Sequence, residues 1–312
     1  LYKETKGKTA CCSNDIKDEV ITALLIEAYN ESIGYKPYGD NDNGVERLKA
    51  LLDTEKELRA LRVKGYITDA LYQEKSTAIL EEIRALEETY AKMEVPVVSN
   101  NSAHRGTPDV PMIIPELNPE HAGVIEYQKK RLGTKRGFIS VKSNCSIQSY
   151  VPALSPLRKF GIKNVLACTY QAISGAGKTF ETWPEMVDNL IPFIGGEEEK
   201  SEQEPLKIWG KIEGDKIVNA TTPSITAQCL RVPVSDGHTA AVFASFEKKP
   251  TKEQMLEAWK NFSSVPQELE LPSAPKQFLN YFEEDNRPQA KLDRNLENGM
   301  AVSIGRLRED TQ

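Results

Sequence analysis

The chain has no long hydrophobic run. None of its apolar stretches approaches the roughly 20 residues that a membrane-spanning helix needs, and the mean hydropathy is −0.48. It also lacks a surplus of positive charge. Lys and Arg number 40 against 46 Asp and Glu, a net charge of −6, which leaves no electrostatic footprint for nucleic acid. Cysteine is scarce and odd in number. Five residues, widely spread, cannot form a disulfide framework, so the usage fits a reducing, cytoplasmic setting. No secretory signal opens the chain, and the first residue is Leu1, which points to processing or to a fragment. What remains, 312 residues with 39% hydrophobic and 28% charged, suits a soluble globular chain of about two domains.

Residues 1–93 read as helical. Ile16, Val20, Leu24 and Ala28 recur at helical spacing after the capping candidates Ser13 and Asn14. Two further helices are expected over 45–63 and 67–93, split by Gly65, as an antiparallel hairpin of coiled-coil type, a solvated arm that makes contacts and does no chemistry. From Glu94 the composition turns over. Strands are expected at 95–99, 138–142 and 165–171, with helix-like stretches at 150–160 and 183–190. A hairpin is expected from 207–212 and 216–220, and a second from 228–234 and 239–248, followed by an amphipathic helix over 252–262. The expected organisation is a helical segment over 1–93, a remnant of a dinucleotide-binding domain over 94–143, and a catalytic and dimerisation domain over 144–312. The fold class is α+β, a mixed or antiparallel sheet with helices on one face.

Chemistry gathers at three places. Asn144-Cys145-Ser146 sets a lone thiol after a strand and ahead of a helix-like stretch. Free helix amides there would lower its pKa and stabilise an adjacent oxyanion. Taken alone, a single cysteine is more often packing filler. Tyr170 to Thr179 contains Gly-Lys-Thr, but the phosphate-loop motif needs a glycine where Ala172 stands, so a nucleoside-triphosphate site is rejected. Its glycines still permit close backbone approach to a ligand. Third, Arg231 and His238 flank a Ser235-Asp236-Gly237 turn. If the flanking strands form a hairpin, both residues reach one end of the sheet, where an imidazole can move protons and a guanidinium can grip a carboxylate. Glu204 and Lys207 follow the acidic run 197–199, whose bland reading is a solvated face.

In order and spacing, Asn144-Cys145-Ser146, the Tyr170 to Gly177 run, Cys229 to Val234 and Asp236-Gly237-His238-Thr239 resemble aspartate-semialdehyde dehydrogenase. Gly195 to Lys200 and Asn298 to Val302 point to its archaeal and fungal branch. The resemblance covers about residues 95–308. It implies Cys145 as the nucleophile, His238 as acid and base, and Gln171 as the group that orients the acyl intermediate. It implies Arg231 and Glu204 on the substrate's carboxylate and amino group, Arg105 and Lys207 on phosphate, and Asn144 as a further substrate-binding residue. Ser174, Gly175 and Gly177 would lie against the cofactor, NADP. The implied reaction interconverts aspartyl phosphate and aspartate semialdehyde, on the route to lysine, threonine and methionine, in a homodimer.

The family's Gly-rich dinucleotide-binding turn has no counterpart in residues 1–93, and its final helix has none after Arg308, so poor cofactor affinity is expected. Lys64-Gly65-Tyr66-Ile67-Thr68 and the Glu/Lys-rich helix after it instead resemble the coiled-coil segment of large serine recombinases, with Ala10-Cys11-Cys12 similar to the end of their zinc ribbon. Two adjacent cysteines without nearby partners do not make a tetrahedral site, and no metal is expected. The rival readings are a recombinase-like chimeric fragment without activity and a folded, inactive interaction module.

Overall fold

The computed structural model describes residues 44–63 and 66–310. The stretch 13–33 and the Cys11-Cys12 pair lie outside them. Two helices open the described chain, α1 (Gly44–Val63) and α2 (Asp69–Lys92), the second capped by the Thr68 hydroxyl. Leu51 faces Ile79 and Ile83 between them, and Ala103 from a later loop completes this small core. The pair is therefore not a solvated arm. Arg84 on α2 donates twice to the Ala103 carbonyl (3.1 and 2.7 Å), and Ala91 lies in the main core. Gly137 passes so close to the end of α2 that a Cβ there would sit 1.8 Å from the Ala91 carbonyl oxygen.

Strand β1 (Pro96–Ser99) pairs in parallel with β2 (Phe138–Val141), joined by a connection that carries helix α3 (Ile125–Leu132). Parallel pairing puts the carboxyl ends of both strands at one edge, where ligands gather in such sheets. The loop with Arg105 and the turn with Cys145 both leave from there.

The main sheet has β3 (Ile162–Gln171) at its centre. Two short strands, β4 (Lys211–Glu213) and β5 (Lys216–Val218), form a separate hairpin. β6 (Ser224–Arg231) runs parallel to β3, and β7 (Thr239–Phe246) runs antiparallel on its other side. The expected hairpin between the last two strands does not form, because β3 lies between them. Val165, Ala167 and Thr169 face the core, while Leu166 and Phe243 sit on a face left half open. Helix α4 (Glu197–Ile208) runs beside β6 and closes its edge: Glu198 accepts the Cys229 amide (3.3 Å) and Glu202 the Ala227 amide (3.0 Å). Lys207 and Ile208, expected in a strand, are the end of this helix.

The expected helix over 183–190 reduces to one 3₁₀ turn, Pro184–Met186. Asp188 takes a left-handed conformation (φ 57°), and Asn189 turns its side chain back onto the Leu190 amide. The stretch 150–160 breaks into two short turns, each with proline in its first two positions. Helix α5 (Lys252–Lys260) and the parallel pair β8 (Leu279–Phe282) and β9 (Val302–Gly305) complete the α+β fold. No helix among the described residues is long and apolar enough to cross a membrane.

Candidate active site

One helix organises the first half of the site. The inward face of α4 carries Glu197, Ser201, Glu204 and Ile208, all buried, at intervals of four, three and four. Glu204 accepts the backbone amide of Asn144 at 2.5 Å and Nη1 of Arg105 at 2.9 Å. Arg105 also donates through Nη2 to the Asn100 carbonyl. Lys207 donates from Nζ to the carbonyls of Arg105 and Thr107, both at 2.7 Å. Burial pushes the Lys207 ammonium down to about 8, against the attraction of Asp109 and Glu204. Asn144, Arg105, Glu204 and Lys207 are thus one connected cluster on three different segments.

Pro205 lies within α4 and has no N–H for the Ser201 carbonyl four residues back. The Tyr150 hydroxyl takes that carbonyl at 2.5 Å. Ser201 also meets the Ser146 hydroxyl at 2.9 Å, so the helix holds the turn just past Cys145.

The second half comes from the end of β3. Gln171 and Arg231 are register partners there. Gln171 is buried and directs its carboxamide to Thr169, while Arg231 donates from Nη1 to the Ala172 carbonyl at 2.6 Å. Beyond Arg231 the chain crosses over the end of β3, with the Ile173 and Ser174 amides bonded to the carbonyls of Val234 and Ser235. It returns at His238. Nε2 of His238 lies 3.2 Å from Sγ of Cys145, and its Nδ1 accepts the Ala172 amide at 3.0 Å. The Ser174–Gly177 turn lies over this pair: a Cβ on Gly175 would be 3.0 Å from Nη1 of Arg231 and from Cε1 of His238.

The electrostatics correct one expectation. Burial pushes the Cys145 thiol up rather than down, and the Glu197 carboxylate adds to this, against Lys142, Arg231 and Arg105. No long helix starts beside it: a three-residue 3₁₀ turn, Ile147–Ser149, comes next, and the Ser146 amide is taken by Oδ1 of Asn144. Burial, with the Arg231 charge next, pushes His238 down to about 4. At neutral pH the pair is a thiol beside an uncharged imidazole, with cationic groups near enough to favour an anion.

Sequence reasoning missed Glu197, Ser201 and Ala172. The first two were legible: a stripe of buried-face positions from 197 to 208 is helical, and the acidic run is its first turn, with Glu197 inward and Glu199 exposed. Ala172 acts through its backbone and leaves no side-chain signal.

Residues 154–312 match the family described as semialdehyde dehydrogenase, dimerisation domain. The chain is 43% identical over 227 residues to the aspartate-semialdehyde dehydrogenase of Archaeoglobus fulgidus, a match covering 73% of this chain and 64% of that protein. This chain belongs to the aspartate-semialdehyde dehydrogenase family. The likeness extends to fungi, with 41% identity over 239 residues to the aspartate-semialdehyde dehydrogenase of Saccharomyces cerevisiae, covering 72% of this chain and 66% of that one. The crystal structure of aspartate-semialdehyde dehydrogenase with NADP from Candida albicans superposes with a TM-score of 0.67 at 36% identity, covering 74% of this chain and 67% of that chain. The chain spans slightly less than two thirds of the length of the curated relatives named here. None of these likenesses supports the recombinase reading of residues 1–93.

Proposed function

We propose that this chain carries the thioester chemistry of an aspartate-semialdehyde dehydrogenase, the NADP-dependent interconversion of aspartyl phosphate and aspartate semialdehyde in amino-acid biosynthesis. The observation that carries the reading is the 3.2 Å approach of His238 Nε2 to Cys145 Sγ, with Arg231 and the Arg105–Glu204 pair around it. Cys145 attacks the acyl carbon of aspartyl phosphate, a mixed carboxylic–phosphoric anhydride, forming the thioester C–S bond as the C–O bond to phosphate breaks and phosphate leaves. In the other direction it adds to the aldehyde carbon. Because the Ala172 amide occupies Nδ1, the neutral His238 ring carries its proton on Nε2, as a donor to the oxygen that gains charge on the carbon bonded to sulfur. Taking up the thiol proton runs through the other tautomer, in which the Ala172 bond is given up.

Arg231 grips the substrate's α-carboxylate and Glu204 its ammonium group, while Arg105 and Lys207 hold phosphate, as a planar fork and a point charge respectively suit these groups. The Nε of Arg105 is buried and without a hydrogen-bond partner, a donor still open for an anion. Gln171 orients the acyl group, and Asn144 holds the turn. For NADP, Gly175 is exposed and brings bare backbone against His238 and Arg231, where a side chain would crowd them, which fits Ser174, Gly175 and Gly177 as the contacts at its reactive end. A nicotinamide held there would supply hydride transfer, with Cys145 holding the reacting carbon.

The domain-family match and the half-open face with Leu166 and Phe243 favour a homodimer formed through the main sheet. Sedimentation of the purified chain would give one protomer mass if that reading is wrong. The function is tested by aspartate semialdehyde-dependent reduction of NADP in the presence and absence of phosphate, beside Cys145→Ser. Phosphate-dependent turnover abolished in that variant supports it, and turnover that survives the substitution refutes it.

A further inference from the structure

Glu197 belongs to none of the roles above, yet it is buried at the first turn of α4 and directed at the cysteine turn. Both its oxygens accept Nδ2 of Asn144, at 3.0 and 2.9 Å, and Oε1 pairs with Nζ of Lys200 at 3.2 Å. The other end of the Asn144 carboxamide is fully used too: Oδ1 accepts both the amide and the hydroxyl of Ser146 at 2.7 Å. An amide has one donor end and one acceptor end, so this wiring works in one orientation only. The donor end must meet an acceptor, and Glu197 supplies it.

We propose that Glu197 is the positioning residue for the Cys145 thiol, acting through Asn144 to fix the turn on both sides of the sulfur and setting one buried negative charge behind it. The residue before Cys145 is held by its side chain to Glu197 and by its amide to Glu204, and the residue after it is held by the same Asn144. The sulfur is fixed between two anchored neighbours. The charge has a separate consequence. Glu197 opposes the three cationic groups that face the sulfur, Lys142 at the end of β2, Arg231 on β6 and Arg105 in the loop after β1, and it favours proton retention on both Cys145 and His238. The resting sulfur is kept as a thiol, the less nucleophilic form.

The inference rests on Cys145 being the nucleophile, but its test reads the thiol and not turnover, so either can fail alone. The full chain is alkylated with iodoacetamide from about pH 6 to about pH 10, and labelling is quantified by peptide mass spectrometry at Cys145, with Cys168 as the internal reference. Glu197→Gln keeps the shape and an acceptor oxygen for Asn144 but removes the charge. The expected result is a Cys145 labelling midpoint lower by roughly one pH unit, with Cys168 unmoved. Lys200→Met, at a partly exposed site, removes the cation that offsets Glu197 and is expected to move the Cys145 midpoint upward. A midpoint unmoved or raised in Glu197→Gln overturns the proposal. If that variant does not fold, Lys200→Met decides, and a midpoint that stays or falls there overturns it equally.

Discussion

The backbone amide of Ala172 donates to Nδ1 of His238 at 3.0 Å, and this contact fixes the other ring nitrogen as the one that faces the Cys145 sulfur. The tautomer is thus set by main chain at the end of β3, not by a carboxylate partner. Nitrogen NMR of the histidines should show Nε2 protonated and Nδ1 bare through neutral pH, with the second proton entering only towards pH 4. His238→Gln should lose about a hundred- to ten-thousandfold in turnover while Cys145 remains open to alkylation.

Glu87 on α2 is buried, accepts the Ser99 hydroxyl at 2.5 Å and has its second oxygen without a hydrogen bond, with Nε2 of His104 at 3.8 Å. Burial pushes it up to about 7, with the Ser99 bond and Arg84 opposing. A carboxyl raised in the folded state stabilises the fold below its unfolded pKa, and this is lost as pH rises through the folded value. Denaturant titrations should therefore show wild-type stability falling between about pH 4.5 and 7 relative to Glu87→Gln, by on the order of 3 kcal/mol. Parallel curves for the two proteins would refute the assignment.

Tyr150→Phe removes the donor that replaces the missing N–H of Pro205. The Ser201 carbonyl is then buried without a partner, at a cost of about 1–3 kcal/mol. A lower midpoint in thermal unfolding is expected. Pro205→Ala in the same background restores an amide to Ser201 and should recover part of the loss.

Lys207 holds its charge only up to about pH 8. Phosphate affinity, measured as the phosphate KM or by direct titration, should weaken as pH rises through that value. Lys207→Arg keeps the charge and should flatten the profile, and Lys207→Met should weaken phosphate by roughly tenfold at neutral pH.

The strand and helix periods were legible where one force dominates. The strand expected over 165–171 and the stripe of α2 follow from burial of one face, while the start of β3 at Ile162, across a register shift, was not read. The pairing of the sheet was not. A Ser235-Asp236-Gly237 turn between two apolar runs reads as a hairpin, and only the tertiary placement of β3 between them overrides it. Cys145, His238, Arg231 and Glu204 were singled out through the family resemblance, and the sign of the thiol shift was not legible at all, since it depends on burial and on the charges around the sulfur. Asp188 illustrates the same limit: Trp183 to Leu190 has helical composition, and one left-handed residue ends the helix.

Glu198 and Glu202 have a consequence outside catalysis. By occupying the outward amides of β6, they deny a foreign strand the hydrogen bonds it would need to extend the sheet on that side. A neighbouring molecule approaching there meets fixed negative charge, so growth into ribbons is blocked along that border.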